Sequence, residues 1–136
     1  MVESVACILI CNSKILLGKR LPGGDVGGLW EFPGGKVEAN ETHQQAIIRE
    51  FQEEFSVDVQ VGTYIANSSF NHKGKDFKLF AYQIFFKEEN PNWILNEHTQ
   101  IDWFTIDEIN KLNLVDSDKK ILPQIEKFFL EQHNEK

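Results

Sequence analysis

The segment from Thr42 to Phe55 carries the strongest local folding signal in this chain, because two patterns in it both predict a helix. It opens with T-x-x-Q, a capping box that satisfies unpaired backbone donors at a helix start. Apolar side chains then return every four residues to form one stripe, and Ile48 lies beside it. The members of the stripe are Ile47, Phe51 and Phe55.

The predicted strands lie on both sides of this helix. Two apolar runs flank Asn12-Ser13 and predict a hairpin, and alternating valines predict a strand over Val57 to Val61. Bulky residues predict a long strand from Phe77 to Phe86 and a short one from Ile101 to Phe104. The polar segment from Phe70 to Lys75 contains a glycine and is interpreted as a turn.

Two further helices are predicted near the end of the chain. A second capping box at Thr105 opens one that reaches about Leu112. Spaced apolar residues mark the last helix, where Pro123 implies either a start near Lys119 or a kink. Because strands and helices do not strictly alternate, the sequence predicts an α/β fold, with helices packed on the faces of a mixed sheet.

Length and charge limit the classes of protein to consider. The 136 residues fit a single domain, 1–136, and 41% hydrophobic with 26% charged residues is typical of a globular protein. Fourteen Lys and Arg against twenty-one Asp and Glu give a net charge of −7, which argues against binding a nucleic acid polymer. The longest apolar run, Val5 to Cys11, is too short to span a membrane.

Cys7 and Cys11 are interpreted as small buried residues. On one strand they would stand about 13 Å apart at ~3.3 Å per residue, which is too far for a disulfide. No second Cys/His pair completes a structural zinc site. Glu3 stands where a signal peptide has Lys or Arg, so no export signal is expected. These features favour the reducing cytoplasm and no membrane association.

The segment from Leu21 to Gly35 is the richest in glycine. Six of the nine glycines lie there as three Gly-Gly pairs, so regular secondary structure is not expected. It runs into W-E-F-P-G-G-K-V-E, Trp30 to Glu38, where backbone N–H groups after the proline can approach an anion. The P-loop pattern G-x4-G-K-[S/T] is absent, and a plain tight turn is the alternative.

Three carboxylates share one edge of the predicted helix. Glu50, Glu53 and Glu54 fall within about 100° of arc beside the apolar stripe. At this spacing they repel one another, and only Arg49 is near enough to offset them. Two interpretations remain open: a solvated acidic face, and a site for a hard divalent cation such as Mg²⁺ or Mn²⁺.

Taken together, these residues form one long pattern. Gly35 is followed after five residues by Glu41 and after seven more by R-E-F-Q-E-E-F-S-V, which starts at Arg49. The pattern resembles the Nudix box, G-x5-E-x7-R-E-U-x-E-E-x-G-U with U a bulky apolar residue, at every fixed position except Ser56, which replaces glycine. The resemblance implies a Nudix hydrolase, an α/β/α sandwich with a mixed sheet. Serine is expected to strain or shorten the helix end.

Within that family the chain looks most like MutT-type nucleoside triphosphate pyrophosphohydrolases. This likeness rests on W-E-F-P-G-G-K-V-E, on Arg20 and on Leu114 to Asp118. It implies hydrolysis of 8-oxo-dGTP or a related dNTP to the monophosphate and pyrophosphate, with Mg²⁺ or Mn²⁺, by a monomer or homodimer. A CTP- or dCTP-type pyrimidine substrate is the alternative. Another nucleoside diphosphate-X substrate, or a catalytically silent nucleotide-binding module, ranks lower.

The resemblance also implies a metal site. Its ligands would be Gly35, Glu50, Glu53 and Glu54. Arg49 would orient a carboxylate through a bidentate pair, and Glu41 would be a further acidic contact. A nucleoside triphosphate carries about four negative charges, so a cation is needed to bridge it to this acidic chain.

The general base would be Glu53 or an acid from a later loop. Glu97 is the candidate in that loop, Asp102 is its fallback, and His98 is interpreted as a surface residue. Nucleotide contacts are implied for residues that match the MutT-type pocket or lie beside it. These are Arg20, Glu31, Lys36, Phe77 and Asp118. Phe77 would stack on the base, with a core residue as the alternative, and Asp118 would accept a hydrogen bond.

Overall fold

The fold is known from a computed structural model that describes residues 1–24 and 26–134. Within these residues, seven strands and three helices follow one another along the chain. They are β1 (Val2–Cys11), β2 (Lys14–Arg20), β3 (Trp30–Glu31), β4 (Gly34–Lys36), α1 (His43–Phe55), β5 (Val59–His72), β6 (Lys75–Phe86), β7 (His98–Phe104), α2 (Ile106–Ile109) and α3 (Asp116–Asn134).

The strands form a mixed sheet, as the sequence predicted. The order is β3-β2-β1-β6-β5, with β4 also paired to β1 and β7 also paired to β2. Strand β1 runs parallel to β6 and antiparallel to β2 and β4. The connection from β1 to β2 is the predicted hairpin, with positive φ at Asn12 and Ser13.

Two hydrophobic cores lie on opposite faces of this sheet. Side chains alternate along β1, so Val5 and Cys7 pack with α1 while Ala6 and Ile8 pack with α2 and α3. Cys7 is buried, Cys11 is half-buried, and both are free thiols whose pKa is raised by burial. Helices therefore cover both faces, which confirms the expected α/β/α sandwich.

Helix α1 forms where its caps and apolar stripe predicted. The Thr42 side chain accepts from the Gln45 N–H, and the Gln45 side chain accepts from the Thr42 N–H. The predicted stripe is fully buried, whereas Ile48, beside it in the prediction, is 39% exposed and does not extend the buried face. Ser56 caps the helix end in the left-handed conformation, at φ 57° and ψ 38°, and its N–H donates to the Gln52 carbonyl.

Two segments predicted to be irregular contain strand. In the glycine-rich segment, β3 pairs with β2 and β4 pairs with β1. The expectation there was wrong at these residues because Gly34, at φ 155°, lets the backbone approach Val5 where a side chain would collide. Strand β5 also continues through the predicted turn to His72, because its cross-strand pairing holds up to the Lys73-Gly74 turn.

The last two helices differ from their predicted bounds. Helix α2 ends at Ile109 rather than near Leu112. Helix α3 begins at Asp116, earlier than Lys119, and carries Pro123 in its interior. Among the described residues, no helix is both long and apolar enough to cross a membrane.

Candidate active site

The buried edge of α1 faces strand β4 across a very short gap. Glu50 and Glu54, one helical turn apart, have side chains 12% and 1% exposed. A Cβ atom on Gly35 would lie 2.5 Å from both carboxylate oxygens of Glu50. Glu54 accepts a hydrogen bond from the Gly34 backbone. The two glycines therefore allow the backbone of β4 to line the carboxylates directly.

A third carboxylate reaches this edge from the loop before β7. One oxygen from each of Glu50, Glu54 and Glu97 lies within 4.8 Å of the others. The loop is fastened to the last turn of α1, since the Asn96 N–H donates to the Glu54 carbonyl at 3.0 Å and its side chain donates to the Glu53 carbonyl at 2.8 Å. Residues distant in sequence thus converge on a group that we call the carboxylate cluster: Glu50, Glu54 and Glu97.

Glu53 lies apart from the carboxylate cluster. Its side chain is 51% exposed, and both of its oxygens lie 3.3 Å from Nη1 of Arg49. The structure therefore brings together two of the three helix carboxylates singled out in the sequence and leaves Glu53 on the solvent side.

Arg49 holds this edge together through a set of charge-assisted hydrogen bonds. Its Nε and Nη2 donate to the two oxygens of Glu41 at 2.7 and 2.9 Å, a bidentate pair. Its Nη1 donates to Glu50 at 2.9 Å and its Nη2 to the Lys36 carbonyl at 2.9 Å. The hydrogen bonds from Arg49 and from the Glu38 N–H lower the pKa of Glu41 to about 2.

Burial and mutual repulsion disfavour the ionised form of the buried carboxyl groups in the carboxylate cluster. Burial raises the pKa of Glu54 to about 10, and the charges of Glu31, Glu50 and Glu97 add to that shift. Burial also raises the pKa of Glu50. Oε2 of Glu54 is buried without a hydrogen-bond partner among the described residues. A buried oxygen of this kind costs stability unless a cation satisfies it, so these residues fit a divalent metal ion.

His98 lies in the interior, so its interpretation as a surface residue was wrong. Its side chain is fully buried, and its Nε2 lies 2.8 Å from Glu31 Oε2 and 3.9 Å from Glu54 Oε1. The ring stacks on Phe55 at 5.4 Å and occupies space that a Cβ atom on Gly18 would take. The register of β7 on β2 shifts next to His98, which no local sequence pattern revealed.

Three residues implied to contact the nucleotide lie near one another. Arg20 Nη1 donates to Glu31 Oε1 at 3.0 Å. Asp118 is buried and accepts from the Phe32 N–H at 2.9 Å. Burial raises the pKa of Asp118 to about 8, with the charge of Glu31 adding to the shift, and this is high enough to favour the protonated carboxyl at neutral pH.

A cleft of about 660 Å³ opens between the tip of the β5-β6 hairpin and the start of α3. Phe77, which the sequence offered as a stacking residue, lines it and stacks on Phe70 with centroids 5.1 Å apart and planes 7° apart. Lys120 Nζ lies 5.3 Å from the Phe70 ring centroid. Neither Phe70 nor Lys120 was predicted to lie at this cleft, and Phe70 was not because its polar neighbours are typical of a turn.

Two other residues singled out in the sequence lie at the surface. Lys36 is exposed, and its backbone carbonyl is what Arg49 contacts. Asp102 is exposed, accepts from the Trp103 N–H at 2.8 Å, and is not part of the carboxylate cluster.

Comparisons with known proteins agree with this geometry. A family model described as the NUDIX domain matches residues 1–125. The CTP pyrophosphohydrolase of Escherichia coli (strain K12) is 34% identical over 128 residues, 94% of this chain and 91% of that protein. The 8-oxo-dGTP diphosphatase of Proteus vulgaris is 46% identical over 57 residues, 40% of this chain and 51% of that protein.

Solved structures show the same fold. The solution structure of the E. coli ORF135 protein has a TM-score of 0.82 at 33% identity. The match covers 93% of this chain and 89% of the ORF135 chain. The crystal structure of the MutT protein from Methanosarcina mazei Go1 has a TM-score of 0.79 at 21% identity, covering 99% and 96% of the two chains.

Proposed function

The chain belongs to the Nudix family and is a Nudix hydrolase, and on that premise we propose that it hydrolyses a (deoxy)nucleoside triphosphate to the monophosphate and pyrophosphate with Mg²⁺. The observation that carries the proposal is the carboxylate cluster, with its buried, unpartnered Glu54 oxygen. Such a cluster can face a polyanion only across a cation.

The metal would be held by residues of α1 and β4. Glu50 and Glu54 would supply buried oxygens, the Gly35 backbone would supply another, and Glu53 would join from the solvent side. A divalent cation there would supply positive charge against the phosphates and Lewis acidity toward water. Mg²⁺ suits an all-oxygen ligand set, and Mn²⁺ would substitute for it.

Two residues of this edge would serve the reaction in different ways. Glu97 would take the proton of the attacking water, since its carboxylate is exposed and lies within 4.8 Å of the other two. Glu53 is the alternative base. Arg49 would position the ligands, because it bonds Glu41 and Glu50 at once.

The nucleotide would lie between the carboxylate cluster and the cleft. Stacked rings at Phe70 and Phe77 offer an apolar surface for a base, and Arg20 with Lys36 offers positive charge for phosphates. Asp118, with Glu31 beside it, would read the edge of the base. A protonated Asp118 both donates and accepts a hydrogen bond, as an amide does, which fits an oxidised purine such as that of 8-oxo-dGTP.

A pyrimidine substrate is the second candidate. A relative named for CTP matches nearly the whole chain, whereas the match to the Proteus diphosphatase spans 57 residues. An ionised Asp118 would accept from the amino group of cytosine. The two candidates share the same phosphate chemistry and differ at the base and, for CTP, at the sugar.

The test is the release of pyrophosphate with saturating Mg²⁺ from 8-oxo-dGTP, dGTP, CTP, dCTP and 5-methyl-dCTP. We expect the highest kcat/KM on one of these, and a fall of orders of magnitude in Glu54→Gln. Glu89→Gln, an exposed carboxylate outside the site, is the matched control and should keep full activity. Absence of pyrophosphate from every substrate, or an unchanged rate in Glu54→Gln, would overturn the proposal.

We also propose that the chain is one domain, 1–136, acting in the cytoplasm on free nucleotides. Two free thiols support a reducing compartment, and a net charge of −7 disfavours a nucleic acid polymer as substrate. The assembly would be a monomer or a homodimer.

A further inference from the structure

His98 lies between two carboxylates, that of the half-buried Glu31 and that of the buried Glu54. Its Nε2 is 2.8 Å from Oε2 of Glu31 and 3.9 Å from Oε1 of Glu54. The charge of Glu31 is one of the causes that raise the pKa of Glu54, so the two carboxylates lie close enough to repel. The imidazole therefore stands where a hydrogen-bond donor is most needed.

The partners of the ring identify which nitrogen carries the hydrogen. Nδ1 is buried and has no hydrogen-bond partner among the described residues, whereas Nε2 meets a carboxylate oxygen. An orphaned buried N–H costs more than an orphaned lone pair, so the hydrogen lies on Nε2 and is donated to Glu31.

The surrounding residues hold the ring in one place. Gly18 has no side chain, and a Cβ atom there would lie 2.5 Å from the imidazole. Phe55 covers one ring face with an angle of 12° between the planes. On the far side, Arg20 occupies the other oxygen of Glu31 at 3.0 Å. Both oxygens of Glu31 are therefore fixed, one by Arg20 and one by His98.

We propose that His98 is a positioning residue of this hydrolase: its Nε2–H holds Glu31 toward Arg20, so that Glu54 stays directed into the carboxylate cluster. Without that donor, Glu31 Oε2 would be unpaired beside Glu54, and both carboxylates would move. The inference rests on the proposed function, because it assigns Glu54 to the metal. It places His98 behind the ligands, where it touches neither metal nor substrate.

The experiment compares two replacements of His98. His98→Phe keeps a ring against Phe55 and removes the donor, whereas His98→Gln restores an N–H near the position of Nε2. Loss of a group that orients metal ligands typically costs about 10- to 100-fold in metal affinity or activity. We expect His98→Phe to weaken Mn²⁺ binding, measured by electron paramagnetic resonance of free Mn²⁺, by that factor, and His98→Gln to recover most of it.

Steady-state kinetics separate positioning from packing. At saturating metal, we expect His98→Phe to lower kcat by more than it raises KM for the nucleotide, which also rises because Glu31 lies beside the proposed base site, and we expect His98→Gln to restore kcat. Thermal melting checks that each variant is folded. If His98→Phe does not fold, His98→Asn replaces it with the same expectation, because the shorter side chain of asparagine cannot reach Glu31. The inference is overturned if His98→Phe binds Mn²⁺ as tightly as the wild type does. It is also overturned if His98→Gln does not recover the lost affinity and kcat.

The same data distinguish this inference from the proposed function. If the wild-type protein binds no Mn²⁺ and releases no pyrophosphate, the proposed function fails. If the wild type does both and His98→Phe matches it, the role of His98 fails alone.

Discussion

Gly35 leaves the space that the carboxyl group of Glu50 occupies. A Cβ atom on Gly35 would lie 2.5 Å from each oxygen of that group, which no real contact allows. Gly35→Ala should therefore displace Glu50 and weaken divalent metal binding about as much as Glu50→Ala does. Isothermal titration with Mn²⁺ measures the effect.

The matched control for this prediction is the double variant. If the Cβ atom acts by pushing Glu50, then adding Gly35→Ala to Glu50→Ala should weaken binding no further, because the displaced group is already gone. Additive losses would show instead that the alanine acts elsewhere, for example by shifting β4.

Ser56 adopts the left-handed conformation that glycine tolerates best. At φ 57° a residue with a Cβ atom costs roughly 1–2 kcal/mol. Glycine would remove this cost, but it also raises the conformational entropy of the unfolded chain, which offsets part of the stabilisation. We expect Ser56→Gly to raise the free energy of unfolding by about 0.5–1 kcal/mol in urea titrations and to leave kcat unchanged. Ser56→Ala should give no such gain, since alanine meets the same strain.

The local elements of the site could be predicted from the sequence because local patterns specify them. The capping box and four-residue spacing predicted α1 with bounds near His43 and Phe55, and the spacing from Gly35 to Glu54 predicted the edge of α1 that carries Glu50 and Glu54. The mixed sheet followed from the order of elements alone.

The residues that complete the site could not be predicted in the same way. Glu97 was expected only from the family resemblance, and it joins the carboxylate cluster because Asn96 fastens its loop to α1. His98 turns inward because of how β7 meets β2. Both depend on contacts between residues far apart in sequence. Phe70 was missed for a different reason: its strand ends in polar residues, and cross-strand pairing with β6 overrides their preference for a turn.

Asp118 makes the free energy of unfolding depend on pH between about 4 and about 8. Its carboxyl has a pKa of about 8 in the folded protein and 3.8 as the reference value, so the folded state binds the extra proton between those limits. Stability contributed by this group falls as the pH rises from about 4 to about 8. Asp118→Asn removes the titration and keeps an oxygen for the Phe32 N–H. Its melting temperature relative to wild type should rise across that window; a constant difference would contradict the raised pKa.

Glu41 makes stability depend on pH in the opposite direction. Its pKa is about 2 in the folded protein against a reference of 4.5, because Arg49 and the Glu38 N–H bond its ionised form. The stability it contributes is complete above pH 4.5 and is lost as the pH falls toward 2. Glu41→Gln should therefore melt below wild type at pH 7, with the gap closing in acid. A gap that persists at pH 2 would mean that the glutamine disturbs packing rather than charge.

Phe77 and Phe70 form the stacked wall of the cleft, so removing one ring should weaken nucleotide binding while sparing the phosphate chemistry. Stacking of a base on an aromatic side chain is worth about 1–3 kcal/mol, or about 5- to 150-fold in affinity. We expect Phe77→Ala to raise KM for the preferred triphosphate within that range and to lower kcat much less, since the carboxylate cluster is untouched. Phe85→Ala, an exposed aromatic on the same strand that does not line the cleft, is the control and should leave KM unchanged. Equal effects of the two variants would show that the loss reflects a weakened β6 rather than a missing stacking partner.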